Sequence, residues 1–215
     1  QSTGQVIINA KKGSCDILII HHKKSEIEFM NSGFGIKNYN LMYNQFIIVG
    51  PKDDPAKIQS SKNLNEVMKK IMNTKSSFIS RSDNSGTYFR ELKLWNNASI
   101  NVNSLDNWYK KIGQGMGATL NMANSLRAYT ITDTGTWNSF QNKDNLKILF
   151  INDKELKNQY SIILVNNKQS KELNFLFANI YFDWILSKEG KILINSFKKN
   201  GKILFLFNGN NYINN

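Results

Sequence analysis

Apolar runs of strand length alternate along this chain with segments of helical periodicity. Strands are predicted at 16–21, 27–33, 45–50, 77–80 and 160–165, and helices at 64–72 and about 172–186. This alternation is typical of α/β architecture with mostly parallel sheets. A turn signal at 50–55 follows one of the strands and contains both prolines of the chain, Pro51 and Pro55, so it favours a lobe boundary just before it.

The predicted helix at 172–186 carries large apolar side chains at helical spacing. They are Phe175, Phe177, Ile180, Trp184 and Leu186. Because side chains at this spacing share a helix face, we interpret them as core and not as a ligand-facing stripe.

The net charge of the chain is +12, from 28 basic and 16 acidic residues. A surface of that sign attracts nucleic acid, anionic lipid or small anions. The lysines are scattered through Lys- and Asn-rich segments such as 168–171 and 198–202 and form no stripe interleaved with aromatic residues. We therefore expect no nucleic-acid partner.

Few residues have the arrangement that catalysis or metal binding requires. Cys15 is the single cysteine, which excludes an internal disulfide, and we expect it to pack at a strand edge. His21 and His22 end a strand, where adjacent side chains point to opposite faces and cannot easily share one metal ion. No serine elbow or paired carboxylates accompany them. We expect no cofactor, no metal and no catalytic residue, and we rank last an enzyme acting on a phosphorylated or carboxylated substrate.

The segment from Ser80 to Thr87 is the most informative one. It follows a short strand and precedes a predicted helix at 88–95. Such a turn presents free backbone N–H groups and the positive end of the helix dipole at one place, and Arg81 adds a charged fork suited to a tetrahedral oxyanion. Ser85 and Thr87 can donate from their hydroxyl groups. An equally supported alternative is ordinary helix capping by Asn84 or Ser85 with a solvated Arg81.

Two further segments carry weaker signals for anion binding. Gly113, Gly115 and Gly117 precede a predicted helix at 118–127 and permit close backbone approach to a ligand, although such glycines are common at helix starts. Thr3 lies in a hydroxyl-rich turn that could open a helix, although fraying at a chain end is the competing interpretation.

Taken in order, several segments resemble the tungstate-binding proteins of the periplasmic binding protein superfamily. The matching segments are 2–5, 16–22, 42–51, 80–87, 94–95, 108–109, 113–117, 128–133 and 158–160. The resemblance implies a two-lobed type II architecture with the ligand in a hinged cleft between the lobes. It implies that lobe I comprises 1–46 and 161–215 and lobe II comprises 47–160. The ligand-binding residues expected from the resemblance and the local chemistry together are Thr3, Arg81, Ser85, Gly86 and Thr87.

The sequence departs from the family pattern at four places. Lobe I is expected to lack its first strand and helix, which would supply further ligands. Ser82 stands where the family has glycine, Thr134 replaces an arginine after Asp133, and Gln45 replaces an acid. If the backbone at Ser82 has a positive φ, that position is restricted by its side chain.

The function implied by the resemblance is capture of tungstate, or molybdate, for delivery to an ABC permease and its ATPase. We expect a monomer that works in the periplasm or anchored outside a bacterial membrane, with its signal sequence outside this chain. One alternative is a binding protein for molybdate, sulfate or phosphate on the same scaffold. Another is the effector-binding domain of a transcription regulator.

Overall fold

The computed structural model describes residues 3–151, 153–166 and 175–209. The chain forms two compact units. Unit 1 comprises Gln1–Asn44 and Asn158–Asn215, and unit 2 comprises Gln45–Lys157. We also predicted that two hinged lobes meet after residues 46 and 160. Those lobe boundaries stay a prediction.

Unit 1 combines helices with short strands. Its helices are α1 (Thr3–Lys11), α2 (Lys23–Asn31), α7 (Phe175–Leu186) and α8 (Lys188–Ser196). Its strands are β1 (Ile17–Ile20), the first part of β2 (Gly35–Pro51), nearly all of β7 (Lys157–Val165), β8 (Lys198–Lys199), β9 (Lys202–Ile203) and β10 (Leu206–Phe207). In its sheet β7 lies between β1 and β2, and β10 pairs with β2 at Met42 and Tyr43.

The core of unit 1 lies on both faces of β7. Ile162 and Leu164 pack with Leu41 and Phe182, whereas Ile163 and Val165 pack with a second set of buried side chains. This division follows from the period of two along a strand. Cys15 packs against the second set, as predicted.

Unit 2 contains the segment singled out as an anion site. Its helices are α3 (Leu64–Asn73), α4 (Gly86–Asn97), α5 (Met116–Ser125) and α6 (Thr134–Ser139). Its strands are the end of β2, β3 (Phe78–Ser80), β4 (Tyr109–Lys111), β5 (Thr130–Asp133) and β6 (Leu146–Phe150). Three short 3-10 helices, Ile58–Ser60, Val102–Ser104 and Lys154–Leu156, complete it.

The end of β2 organises the core of unit 2. Phe46 to Val49 pair with β5, and Ile48 to Pro51 pair with β6. All four residues from Phe46 to Val49 are buried, and they alternate between two hydrophobic clusters. Burying such side chains contributes roughly 1.5–3 kcal/mol each, which makes this run a main source of stability for the unit.

Several strand and helix predictions are confirmed, and two are wrong. Residues 27–33, predicted as a strand, lie mostly in α2, where Glu26 and Phe29 share the buried face at helical spacing. The expected mostly parallel sheet is also wrong: β1, β5, β6 and β10 all pair antiparallel, and β3 with β4 is the parallel pair among the described ladders.

The prediction that the large apolar side chains of helix α7 form core is wrong for several of them. The side chains that it buries are Ala178, Phe182 and Ile185. Phe177 is 65% exposed and Trp184 is 42% exposed, so these two side chains are not core. The helix is apolar over most of its circumference, apart from a stripe that carries Asn179 and Asp183, and helical spacing alone could not show which apolar stripe faces the sheet. Residues 172–174 of the predicted helix lie outside the described residues.

Helix α1 begins the described part of the chain, and β1 is the first strand in it. The expectation of a missing first strand and helix concerns residues outside this sequence and stays a prediction. Within the ranges described, no helix has the length and hydropathy needed to cross a bilayer. The same ranges contain no group of three or more His, Cys, Asp or Glu side chains that could hold a metal ion.

Candidate anion-binding site

The turn between β3 and α4 forms the start of a long helix. Ser85 is the N-cap, and its hydroxyl oxygen accepts a hydrogen bond from the Tyr88 N–H at 3.2 Å. The Gly86 and Thr87 N–H groups belong to the first turn, where no intrahelical carbonyl is available. Ser85 and Thr87 are each 4% exposed, so these donors lie in a largely desolvated place. The helix dipole adds a partial positive charge there.

Arg81 places a guanidinium group beside this helix start. The Arg81 side chain is 15% exposed, and its Nη2 forms an ion pair with Asp83 Oδ2. The buried Arg81 Nε has no hydrogen-bond partner among the residues that the structure describes. An arginine fork with a free buried donor is well suited to an oxyanion.

The loop adopts a backbone that most residues avoid. Ser82 has φ +49° and Asn84 has φ +55°, so both lie in the left-handed region. Asn tolerates this region better than Ser, which pays roughly 1–2 kcal/mol. Ser82, where the resemblance implies a glycine, therefore does have a positive φ, and the serine is accommodated under strain.

An aromatic cluster beneath the loop holds β3, α4 and β4 together. The Phe78 ring lies 5.2 Å from that of Trp95 and 5.8 Å from that of Tyr109, centroid to centroid. Such pairs stabilise by about 0.5–1.5 kcal/mol beyond the area they bury. Their packing fixes the two ends of the loop, at Ser80 and at Gly86.

Helix α4 also carries a buried carboxyl group, that of Glu91. Burial raises the pKa of Glu91 from an ordinary value of 4.5 to about 7, against the opposing effect of the Tyr109 hydroxyl, which donates to Glu91 Oε1 at 2.5 Å. Ser80 and Trp95 also lower this pKa, although neither makes a well-formed hydrogen bond to Glu91 among the described residues. Glu91 is thus a group that titrates near neutral pH inside the core.

The glycine-rich segment 113–117 lies directly against the loop between Ser80 and Gly86. The Ile112 N–H donates to the Ser80 carbonyl at 3.1 Å, and the Gln114 N–H donates to the Arg81 carbonyl at 3.2 Å. Gly115 is the N-cap of α5, and a Cβ at this residue would meet nothing within 4 Å. The start of α5 is therefore open beside Arg81, which the glycine spacing alone did not establish.

The structure brings Arg81, Ser85, Gly86 and Thr87 together within unit 2. Thr3 belongs to unit 1, where it is 5% exposed and begins α1. The role of these residues as ligands stays a prediction. Sequence reasoning missed the pairing of Asp83 with Arg81, although an acid two residues after an arginine in a tight turn was a usable signal.

The two histidines considered as metal ligands have other partners. His21 Nδ1 lies 2.8 Å from Asn158 Oδ1, and the His21 ring stacks on Tyr160. His22 Nδ1 lies 2.7 Å from Ser25 Oγ. These contacts assign the pair to local packing in unit 1.

Comparison with known proteins decides the family. A model of the PBP superfamily domain matches residues 1–189. The tungstate-binding protein TupA of Peptoclostridium acidaminophilum is 38% identical over 92% of this chain and 69% of its own length. The chain belongs to the TupA family. The TupA of Campylobacter jejuni is 37% identical over 95% of this chain and 77% of its own length.

A solved TupA structure shows that the family fold is present here. The tungstate-binding protein TupA from Desulfovibrio alaskensis G20 is 36% identical, with a TM-score of 0.83, over 97% of this chain and 84% of that one. The architecture is therefore the type II periplasmic binding protein fold of the TupA family.

Proposed function

We propose that this protein captures a tetrahedral oxyanion as the substrate-binding component of an ABC importer, and that this oxyanion is tungstate. The observation that carries the proposal is the start of α4, where Arg81 lies beside the first-turn N–H groups and the Thr87 hydroxyl. The TupA relatives are named for tungstate binding, which supports the choice of anion. The partners in this proposal are a permease and its ATPase, and the place of work is outside the cytoplasmic membrane.

The proposed ligands in unit 2 are Arg81, Ser85, Gly86 and Thr87, and all of them donate hydrogen bonds. A shell of donors leaves the proton of a protonated anion without an acceptor, which disfavours hydrogen phosphate. Thr3 is kept as a proposed ligand because it begins α1, where backbone N–H groups have no intrahelical acceptor. The protein performs no chemistry in this proposal, because binding and release are its whole task.

Calorimetric titration of the full-length protein with tungstate, molybdate, sulfate and phosphate tests the proposal. We expect one-to-one tungstate binding that Arg81→Ala weakens about 100-fold, since a charged hydrogen bond contributes roughly 1.5–3 kcal/mol. Arg127→Ala is the matched control, because Arg127 is an exposed arginine of the same unit that pairs with Asp53 at 2.9 Å. Its affinity should match the wild type.

If none of the four oxyanions binds, the transport assignment fails. The effector-binding domain of a transcription regulator then becomes the first candidate. If molybdate or sulfate binds more tightly than tungstate, the scaffold assignment stands and the choice of anion is wrong.

A further inference from the structure

Asp83 occupies donors that the proposed function gives to the oxyanion, and the inference drawn from it rests on that function. Asp83 Oδ2 pairs with Arg81 Nη2, and Asp83 Oδ1 accepts the Ser85 N–H at 3.3 Å. One carboxylate thus engages both the guanidinium group and a backbone N–H of the helix-start loop. These are the kinds of donor that hold a bound oxyanion.

The burial of the pair explains why Arg81 needs a counter-ion. The Arg81 and Asp83 side chains are 15% and 16% exposed. A largely buried guanidinium without a counter-ion is strongly destabilising, so an empty site needs a negative charge of its own. The left-handed residues on either side of Asp83, Ser82 and Asn84, bend the chain so that a side chain two residues from Arg81 can reach back to it.

Once an oxyanion is bound, the same carboxylate becomes unfavourable. Two negative groups on one arginine repel each other, and the repulsion is strong where water is largely excluded. We propose that Asp83 is the exchangeable counter-ion of Arg81: it pairs with the arginine in the ligand-free protein, and the incoming oxyanion displaces it. Asp83 thereby limits affinity and permits release of the anion.

The opposite role makes a different prediction. If Asp83 serves to hold Arg81 in position for the anion, removing its charge weakens binding. If it competes with the anion, removing its charge strengthens binding. The direction of the change in affinity therefore decides between the two roles.

Asp83→Asn keeps an oxygen for the Ser85 N–H and removes the charge. We expect its tungstate dissociation constant to fall about tenfold, equivalent to about 1.4 kcal/mol, with slower dissociation in stopped-flow displacement. The gain should vanish in the Arg81→Ala background, because no arginine remains to be contested. Asp83→Ala removes the same charge and replaces the asparagine variant if that one does not fold.

Asp106→Asn is the matched control for net charge. Asp106 is also an aspartate of unit 2 in an ion pair, with Lys75 at 2.8 Å, but it is 63% exposed. We expect its effect on affinity to stay below about twofold because solvent screens exposed charges.

The ligand-free protein provides an independent measurement. Asp83→Asn should lower its melting temperature by about 2–4 °C, and saturating tungstate should abolish that difference because the anion then neutralises Arg81. Unchanged or weaker tungstate binding by Asp83→Asn, beside a normal Asp106→Asn, would overturn the inference while the proposed function stands. If the wild type binds none of the four oxyanions, the proposed function fails and the inference with it.

Discussion

The titration of Glu91 should be visible as a pH-dependent step in stability. Its side chain is 1% exposed, and burial raises its pKa from 4.5 to about 7. Below pH 4.5 the carboxyl is neutral in both the folded and the unfolded chain. Between pH 4.5 and 7 the unfolded chain loses the proton that the folded chain retains, so the free energy of unfolding falls as the pH rises. Above pH 7 both states are ionised and the slope disappears.

The size of the step follows from the shift in pKa. A rise of the pKa from 4.5 to about 7, at about 1.36 kcal/mol for each tenfold change in proton affinity, corresponds to about 3 kcal/mol between pH 4.5 and 8. Glu91→Gln cannot ionise, so its free energy of unfolding relative to the wild type should rise by that amount across the window. Any penalty from the buried amide of the variant is independent of pH and shifts the whole difference curve without changing its shape.

Urea denaturation of both proteins at pH 5, 6, 7 and 8 gives the difference curve. Glu66→Gln is the contrasting control, because backbone and side-chain donors from Lys62 and Lys70 lower the pKa of that exposed carboxyl. Its contribution to stability is fully present above about pH 4.5 and is lost only as the pH falls below that value, so its difference curve should be flat from pH 5 to 8. A difference curve for Glu91→Gln that is flat from pH 5 to 8 would refute the argument from burial.

Three further predictions concern the segment from Ser80 to Thr87 and the buried Glu91 in the helix that follows it. Tyr109→Phe removes the hydroxyl that donates to Glu91, so the pKa of that carboxyl should rise further and the fall in stability should extend to higher pH in the same denaturation series. Ser82→Gly should raise the free energy of unfolding by about 0.5–1 kcal/mol because it relieves a left-handed serine, and Asn84→Gly should gain less; equal effects would contradict the strain argument. Thr87→Val keeps the side-chain shape and removes the hydroxyl, so calorimetry should show tungstate binding weakened about tenfold with the melting temperature nearly unchanged.

Local signals predicted the parts of the fold that depend on local chemistry. The strand β1 and the buried run at the end of β2 were predicted because each is a continuous apolar run of strand length. The helix α3 was predicted because its apolar residues recur at helical spacing. The strand–turn–helix at Ser80 to Thr87 was predicted in the same way, and Ser85 proved to be the N-cap, one of the two caps considered.

Other features depended on neighbours that lie far away in the sequence. Residues 27–33 were predicted as a strand from a short apolar run, but the buried side chains Glu26 and Phe29 are one helical turn apart. The antiparallel direction of the sheet depends on which strands meet, and β1 pairs with β7, more than 130 residues later in the chain. Local patterns carry no information about such partners.

The candidate site shows the same division. The sequence alone determined that Arg81, Ser85 and Thr87 would lie at a helix start, because capping chemistry and the helix dipole are local properties of the chain. Only the tertiary structure decided that the Gln114 backbone N–H donates to the Arg81 carbonyl and that Glu91 is buried beside Tyr109. It also decided how much of the Arg81–Asp83 ion pair is shielded from water. Burial and long-range contacts set those energies, and both arise only when distant segments pack together.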